Sequence, residues 1–130
     1  MDTQTAFDIV LNHLWLQNAP AYDNNSQRCW YRHGETGTRC AIGCLIPDQL
    51  YVPSMEGRGV HELLVVFPKI KELPAIKALD VGHDLPLYGA LQQMHDDLAA
   101  GDPKVFRAYL CLYAEALAHD YGLTVNLPKE

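Results

Sequence analysis

Long apolar runs are missing from this 130-residue chain, whose longest purely aliphatic or aromatic stretch is Leu63 to Phe67. A membrane-spanning helix needs about 20 predominantly apolar residues, so no span is expected. Positive charge is also scarce. Ten Lys and Arg stand against sixteen Asp and Glu, a formal charge of -6, which is the wrong sign for neutralising phosphates and makes nucleic-acid binding unlikely as a function. A basic leader is lacking too: Asp2 stands where a secretory signal carries Lys or Arg, so the expected location is cytoplasmic. No repeat, heptad series or low-complexity tract occurs. Gly57-Arg58-Gly59 lacks the third glycine, the preceding strand and the lysine that a phosphate-binding loop requires.

Apolar residues make up 48% of the sequence, and a chain of this length can bury one core without metal or disulfide staples, so a single domain over residues 1–130 is expected. The four cysteines read as reduced thiols of a cytoplasmic protein rather than as a disulfide framework.

Three of those cysteines fall between Cys29 and Asp48, the densest stretch of unusual chemistry in the chain. Cys29 to Arg32 favour a strand, His33 to Thr38 supply Gly34 and Gly37 for a turn, and apolar character resumes after Arg39, which predicts a small β-hairpin. Its register decides the geometry: one turn centre sets Cys29 opposite Cys40, another sets Cys40 opposite Arg32. Cys40 and Cys44 are spaced to share a helical face that Pro47 would end. Three readings of the thiols remain open. They are buried small apolar residues, or Cys29, Cys40 and Cys44 join His95 around zinc, although no close C-x-x-C pair is present. In the third reading Cys40, preceded by Arg39 and near a helix N-terminus, is a nucleophile with His95 as its base.

The run Arg39 to Asp48, with Cys29 and Tyr31 before it, Tyr51 and Glu56-Gly57 after it, and Leu91-Gln92 leading to His95-Asp96, resembles a family of small bacterial and prophage-borne proteins of uncharacterised activity. The resemblance covers most of the chain. It implies a bacterial or phage setting in the cytoplasm, and no cofactor or catalytic residue.

Elsewhere the periodicity is helical. Phe7, Val10, Leu11 and Leu14 mark a helix over residues 3–17, capped by Thr3 or Thr5, with His13 and Trp15 off its buried face. Residues 18–27 read as a loop. A short helix is expected from Val60 or His61 to Phe67, and another over Lys69 to Leu79 that Pro74 must kink or restart. Leu87, Leu91, Met94 and Leu98 trace a further helix, with Asp84 as cap and Gly101 as stop. The last helix has Asp102 as cap, Pro103 in its first turn and Gly122 as its left-handed terminus. Phe106, Tyr109, Leu110, Tyr113 and Leu117 are its expected core face. Ala108, Cys111, Ala114 and Ala118 form a small-residue face, and residues 123–130 a frayed tail. The fold class that follows is mainly α, a single compact domain of about five helices with one small β-hairpin after the first helix.

His83, His95 and His119 are each followed by Asp, a pattern that resembles HD-type metal phosphohydrolases, but the residues before His95 are Leu-Gln-Gln-Met rather than an apolar run. No complete catalytic motif emerges. The expected function is therefore that of a small accessory protein that binds another protein, with Asp23 to Arg32 and Met55 to Arg58 exposed as contact points, Asp23, Arg32, Glu56 and Arg58 among them.

Overall fold

The computed structural model describes residues 1–128, and their order is α1 (Thr3–Gln17), β1 (Tyr22–Asp23), β2 (Arg28–Cys29), α2 (Val60–Val66), α3 (Pro68–Lys71), α4 (Pro74–Ala78), α5 (Leu87–Ala99) and α6 (Phe106–Tyr121). The fold is mainly α with a two-stranded antiparallel hairpin after the first helix, as the sequence leads one to expect. No helix among the described residues is long and apolar enough to cross a membrane.

α1 buries Phe7, Val10, Leu11 and Leu14 completely. Its cap is Asp2 rather than either threonine: the Asp2 carboxylate accepts from the Thr5 amide at 2.7 Å, while Thr3 donates to the Ala78 carbonyl at 2.7 Å. Trp15 is in the core and not off it. The Arg107 guanidinium lies 4.8 Å from its ring centroid and donates to its carbonyl, so α6 seals the indole that α1 alone would expose.

The hairpin forms one connection earlier than expected. Tyr22 pairs with Cys29 and Asp23 with Arg28, because Asp23 folds its carboxylate back to the Ser26 amide at 2.9 Å and turns the polar Asp-Asn-Asn-Ser cluster into the hairpin's tip. The stretch after Cys29 keeps only an isolated bridge between Arg32 and Arg39. In that register the Cys40 amide donates to Tyr31, so Cys40 faces neither Cys29 nor Arg32, and all four cysteines are free thiols. Past Cys40 the chain makes a helical turn and a 3₁₀ turn at Gly43–Leu45 instead of a longer helix.

Proline and glycine set the remaining boundaries. The chain restarts at Pro74 as α4 rather than kinking. α5 begins after Pro86 with no side-chain cap, so the capping role expected of Asp84 is not filled. Asp102 does cap, accepting from the Lys104 amide at 2.9 Å ahead of the turn that opens α6, and Gly122 closes α6 in the left-handed region at φ 69°. On α6, Phe106, Leu110, Ala114, Leu117 and Ala118 are buried, whereas Tyr109 is 51% exposed and Ala108 lies outside the core. Residues 124–126 are docked, not frayed. Gln4 and Thr124 exchange two hydrogen bonds of 2.8 and 2.9 Å, and Asn126 reaches Asp8; positions 129–130 of the expected tail lie outside the described residues.

Two packed groups make the core. One joins α1, α4, α5 and α6; the other gathers Tyr31, Cys40, Ile42, Ile46, Met55, Leu63 and Ile70 under the irregular segments, and Leu45 and Tyr88 touch both. Where they meet, Gly43 lies so close to the Tyr31 carbonyl that a Cβ would collide with it. Gly43→Ala is therefore expected to lower the unfolding free energy by about 3 kcal/mol. Gly34→Ala, with nothing within 4 Å of the added carbon, should stay within about 0.5 kcal/mol, both changes being read by urea titration.

Candidate functional site

The irregular segments leave backbone donors that no strand satisfies, and α5 supplies the acceptors. Ala21 and Ile42 are both fully buried, and an orphaned buried N–H costs about 1–3 kcal/mol. The Ala21 amide donates to His95 Nε2 at 2.9 Å, and the Ile42 amide donates to Gln92 Oε1 at 3.1 Å. Each of these side chains then uses its other end on one acceptor: Gln92 Nε2 and His95 Nδ1 lie 2.9 and 3.0 Å from Asp96 Oδ1. Because His95 accepts at Nε2, its proton is on Nδ1 and is donated to Asp96. The Cys29 sulfur lies within 4.8 Å of the Asp96 carboxylate; burial, and then that carboxylate, push the thiol up to about 12. Asp96 is about half exposed and lines a cleft of about 270 Å³ together with Arg28, Trp30, Tyr31, Arg58 and two glycines.

Cys40 takes no part in this cluster. It is fully buried, its sulfur accepts from the Gly43 amide at 3.2 Å, and burial pushes its thiol far above the usual range. Neither ring nitrogen of His95 is bonded to it, so the expected nucleophile and base do not form a pair. Cys44 donates to the Ala41 carbonyl at 3.1 Å and is likewise pushed up to about 12 by burial. Of the four expected zinc ligands only Cys29 and His95 come together. Asp96 joins them, with the three ligand atoms within 4.8 Å of one another, the one such group among the described residues. The donor set does not fit a metal. Ligation at Nδ1 would either strip the last ring proton or move it to Nε2, against the Ala21 N–H.

The expected contact residues are engaged in holding loops. Asp23 bonds Ser26 and lies 3.2 Å from His33, and those hydrogen bonds, Ser26's first, hold its carboxyl down at about 2. Arg32 pairs with Asp48 at 2.8 Å, donates to the Ile46 carbonyl and covers the Tyr51 ring at 4.6 Å. Glu56 accepts from the Tyr31 and Arg32 amides and from the Tyr51 hydroxyl at 2.6 Å. Arg58 pairs with Glu62 and donates to the Ser54 carbonyl. Met55 is buried, against the expectation of an exposed loop there.

Sequence reasoning missed Asp96 as the meeting point, although Gln92, His95 and Asp96 stand at helical i, i+3 and i+4 spacing. It also missed a groove of about 440 Å³ between the end of α5 and α6, where Leu98, Phe106, Tyr109, Leu112 and Tyr113 face Asp97 and Asp102. Leu112 is 68% exposed there, and Tyr113 donates to Asp97 at 2.8 Å. No protein-family model matches the chain, and neither the curated proteins nor the solved structures contain a significant match to it.

Two outcomes follow for the thiols. Iodoacetamide at neutral pH should leave Cys40 unmodified in the folded protein and modify it only in urea, as read by peptide mass spectrometry; rapid native labelling of Cys40 would restore it as a nucleophile. Protein prepared without chelators should hold well under one equivalent of zinc, and its thermal midpoint should not move on adding zinc or EDTA. A rise of several degrees with zinc would refute the argument from the imidazole tautomer.

Proposed function

We propose that this chain is a small accessory protein of a bacterium or phage that acts in the cytoplasm by binding another protein, and that its contact surface is the groove between α5 and α6. The observation that carries the reading is the exposure of Leu112 and Tyr109 on one apolar groove. Bulky apolar side chains left open beside a rigid helix pair are characteristic of interaction surfaces. Aromatic residues beside aliphatic ones are the usual anchors of such contacts.

The partner's chemistry follows from the rim. Asp97 and Asp102 flank the apolar floor, and Lys104 and Arg107 are the two cations set against Asp80, Asp84, Asp96, Asp97, Asp102, Glu115 and Asp120 over residues 80–121. An apolar side chain flanked by Lys or Arg on the partner is complementary in both shape and sign. The same balance disfavours a nucleic-acid backbone as the occupant.

The test is purification of the tagged protein from the cells that encode it, with a photo-crosslinking residue in place of Ala116 on the groove wall. One protein is expected in near-equal amount, cross-linked through an apolar segment bounded by Lys or Arg. Leu112→Asp should lose it while its thermal midpoint stays within about 2 °C of the parent. Absence of any stoichiometric partner at low salt, or full retention by Leu112→Asp, overturns the proposal.

A further inference from the structure

Consecutive helix positions point about 100° apart, and α5 uses this to place Asp97 in the groove and Asp96 in the cleft on its other side. Within the cleft, the donors to Asp96 are His95 and Gln92, with the Cys29 sulfur beside it, and no Lys or Arg of the described residues pairs with it. Neutral donors on the inner side fix the carboxylate without cancelling its charge. The outcome is a hydrogen-bonded, half-exposed anion lining a cleft, an arrangement that receives a cation with little reordering.

The rim adds the opposite sign. Arg28 is exposed, and its guanidinium has no hydrogen bond or ion pair among the described residues. Arg58, by contrast, is already neutralised by Glu62. Gly57 and Gly59 keep the wall open: a Cβ at Gly59 would touch nothing within 4 Å, and one at Gly57 would meet only Arg28 Nη1, at 3.4 Å. Trp30 lines the cavity with an aromatic surface suited to a cationic nitrogen. A simple cation would meet the like charge of Arg28, and a simple anion that of Asp96. A molecule carrying both charges meets neither obstacle.

We propose that this cleft binds a small amino-acid-like zwitterion, its ammonium or guanidinium group on Asp96 against Trp30 and its carboxylate on Arg28. A cavity of about 270 Å³ is below the range of drug-sized pockets, which start at about 300 Å³, and suits a ligand of amino-acid size. This site is independent of the groove and of the protein-binding role assigned to it.

The experiment titrates the isotope-labelled full chain by NMR with L-arginine and L-lysine and with their decarboxylated counterparts agmatine and cadaverine. Saturable shifts are expected at Cys29, Trp30, Gly57 and Asp96 with at least one of the two amino acids, and weaker binding of its decarboxylated counterpart. Arg28→Ala should weaken the amino acid about tenfold and leave the decarboxylated ligand unaffected. Asp96→Asn should lose both ligands. Should Asp96→Asn fail to fold, the surface change Arg28→Ala still decides. No saturable shift at millimolar ligand, equal weakening of both members of a pair by Arg28→Ala, or undiminished binding by folded Asp96→Asn each overturn the proposal.

Discussion

Asp96 Oδ1 accepts two hydrogen bonds from side chains that are themselves acceptors at their far ends, and much of the irregular half of the molecule hangs from that oxygen. Through His95 it fixes the amide of Ala21, at the entry to the hairpin; through Gln92 it fixes that of Ile42, at the turn after Cys40. Removing the carboxylate would leave two buried donors facing an empty position, a loss of about 1–3 kcal/mol for each. Within each arm the bonds run in a chain from amide to side chain to carboxylate, and hydrogen bonds in a chain polarise and strengthen one another.

Glu56 plays the matching part on the opposite side of the same segment, where its two oxygens gather the amides of Tyr31 and Arg32 and the hydroxyl of Tyr51. The stretch from Cys29 to Met55 has almost no regular secondary structure of its own, yet Tyr31, Cys40, Ile42, Ile46 and Met55 are buried along with the helical core. A buried loop is tolerable only when its backbone groups have partners. Here side chains from α5 and Glu56 supply three of them, at Tyr31, Arg32 and Ile42, in place of a sheet.

That division explains what the sequence made legible. The long helices carry their own signals: the apolar spacing of Phe7 to Leu14 and Leu87 to Leu98, Asp102 with Pro103 at one end of α6 and Gly122 at the other. The loops carry few. The hairpin slipped to residues 22–29 because its turn is stabilised by the Asp23 side chain, and a polar cluster reads equally well as open loop. Glu56 and Arg32 look like surface charges in a one-dimensional string because their acceptors and donors are backbone groups contributed by distant residues. Cys40 drew attention through Arg39 beside it, a neighbour in sequence whose effect is overwhelmed by complete burial of the sulfur. Asp96, the next residue after His95 on α5, bonds the ring because Nδ1 turns outward once Nε2 is committed to Ala21.

The commitment of His95 and Gln92 to backbone amides has a further bearing on how the molecule opens. Ordinarily a loop frays by itself, at a small fraction of the free energy of global unfolding. Here the amides at Ala21 and Ile42 are held by side chains rooted in the middle of α5, which in turn packs on α6. Fraying of these segments would strip His95 and Gln92 of their buried partners, a cost that ties the half of the chain with the least secondary structure to the helical pair.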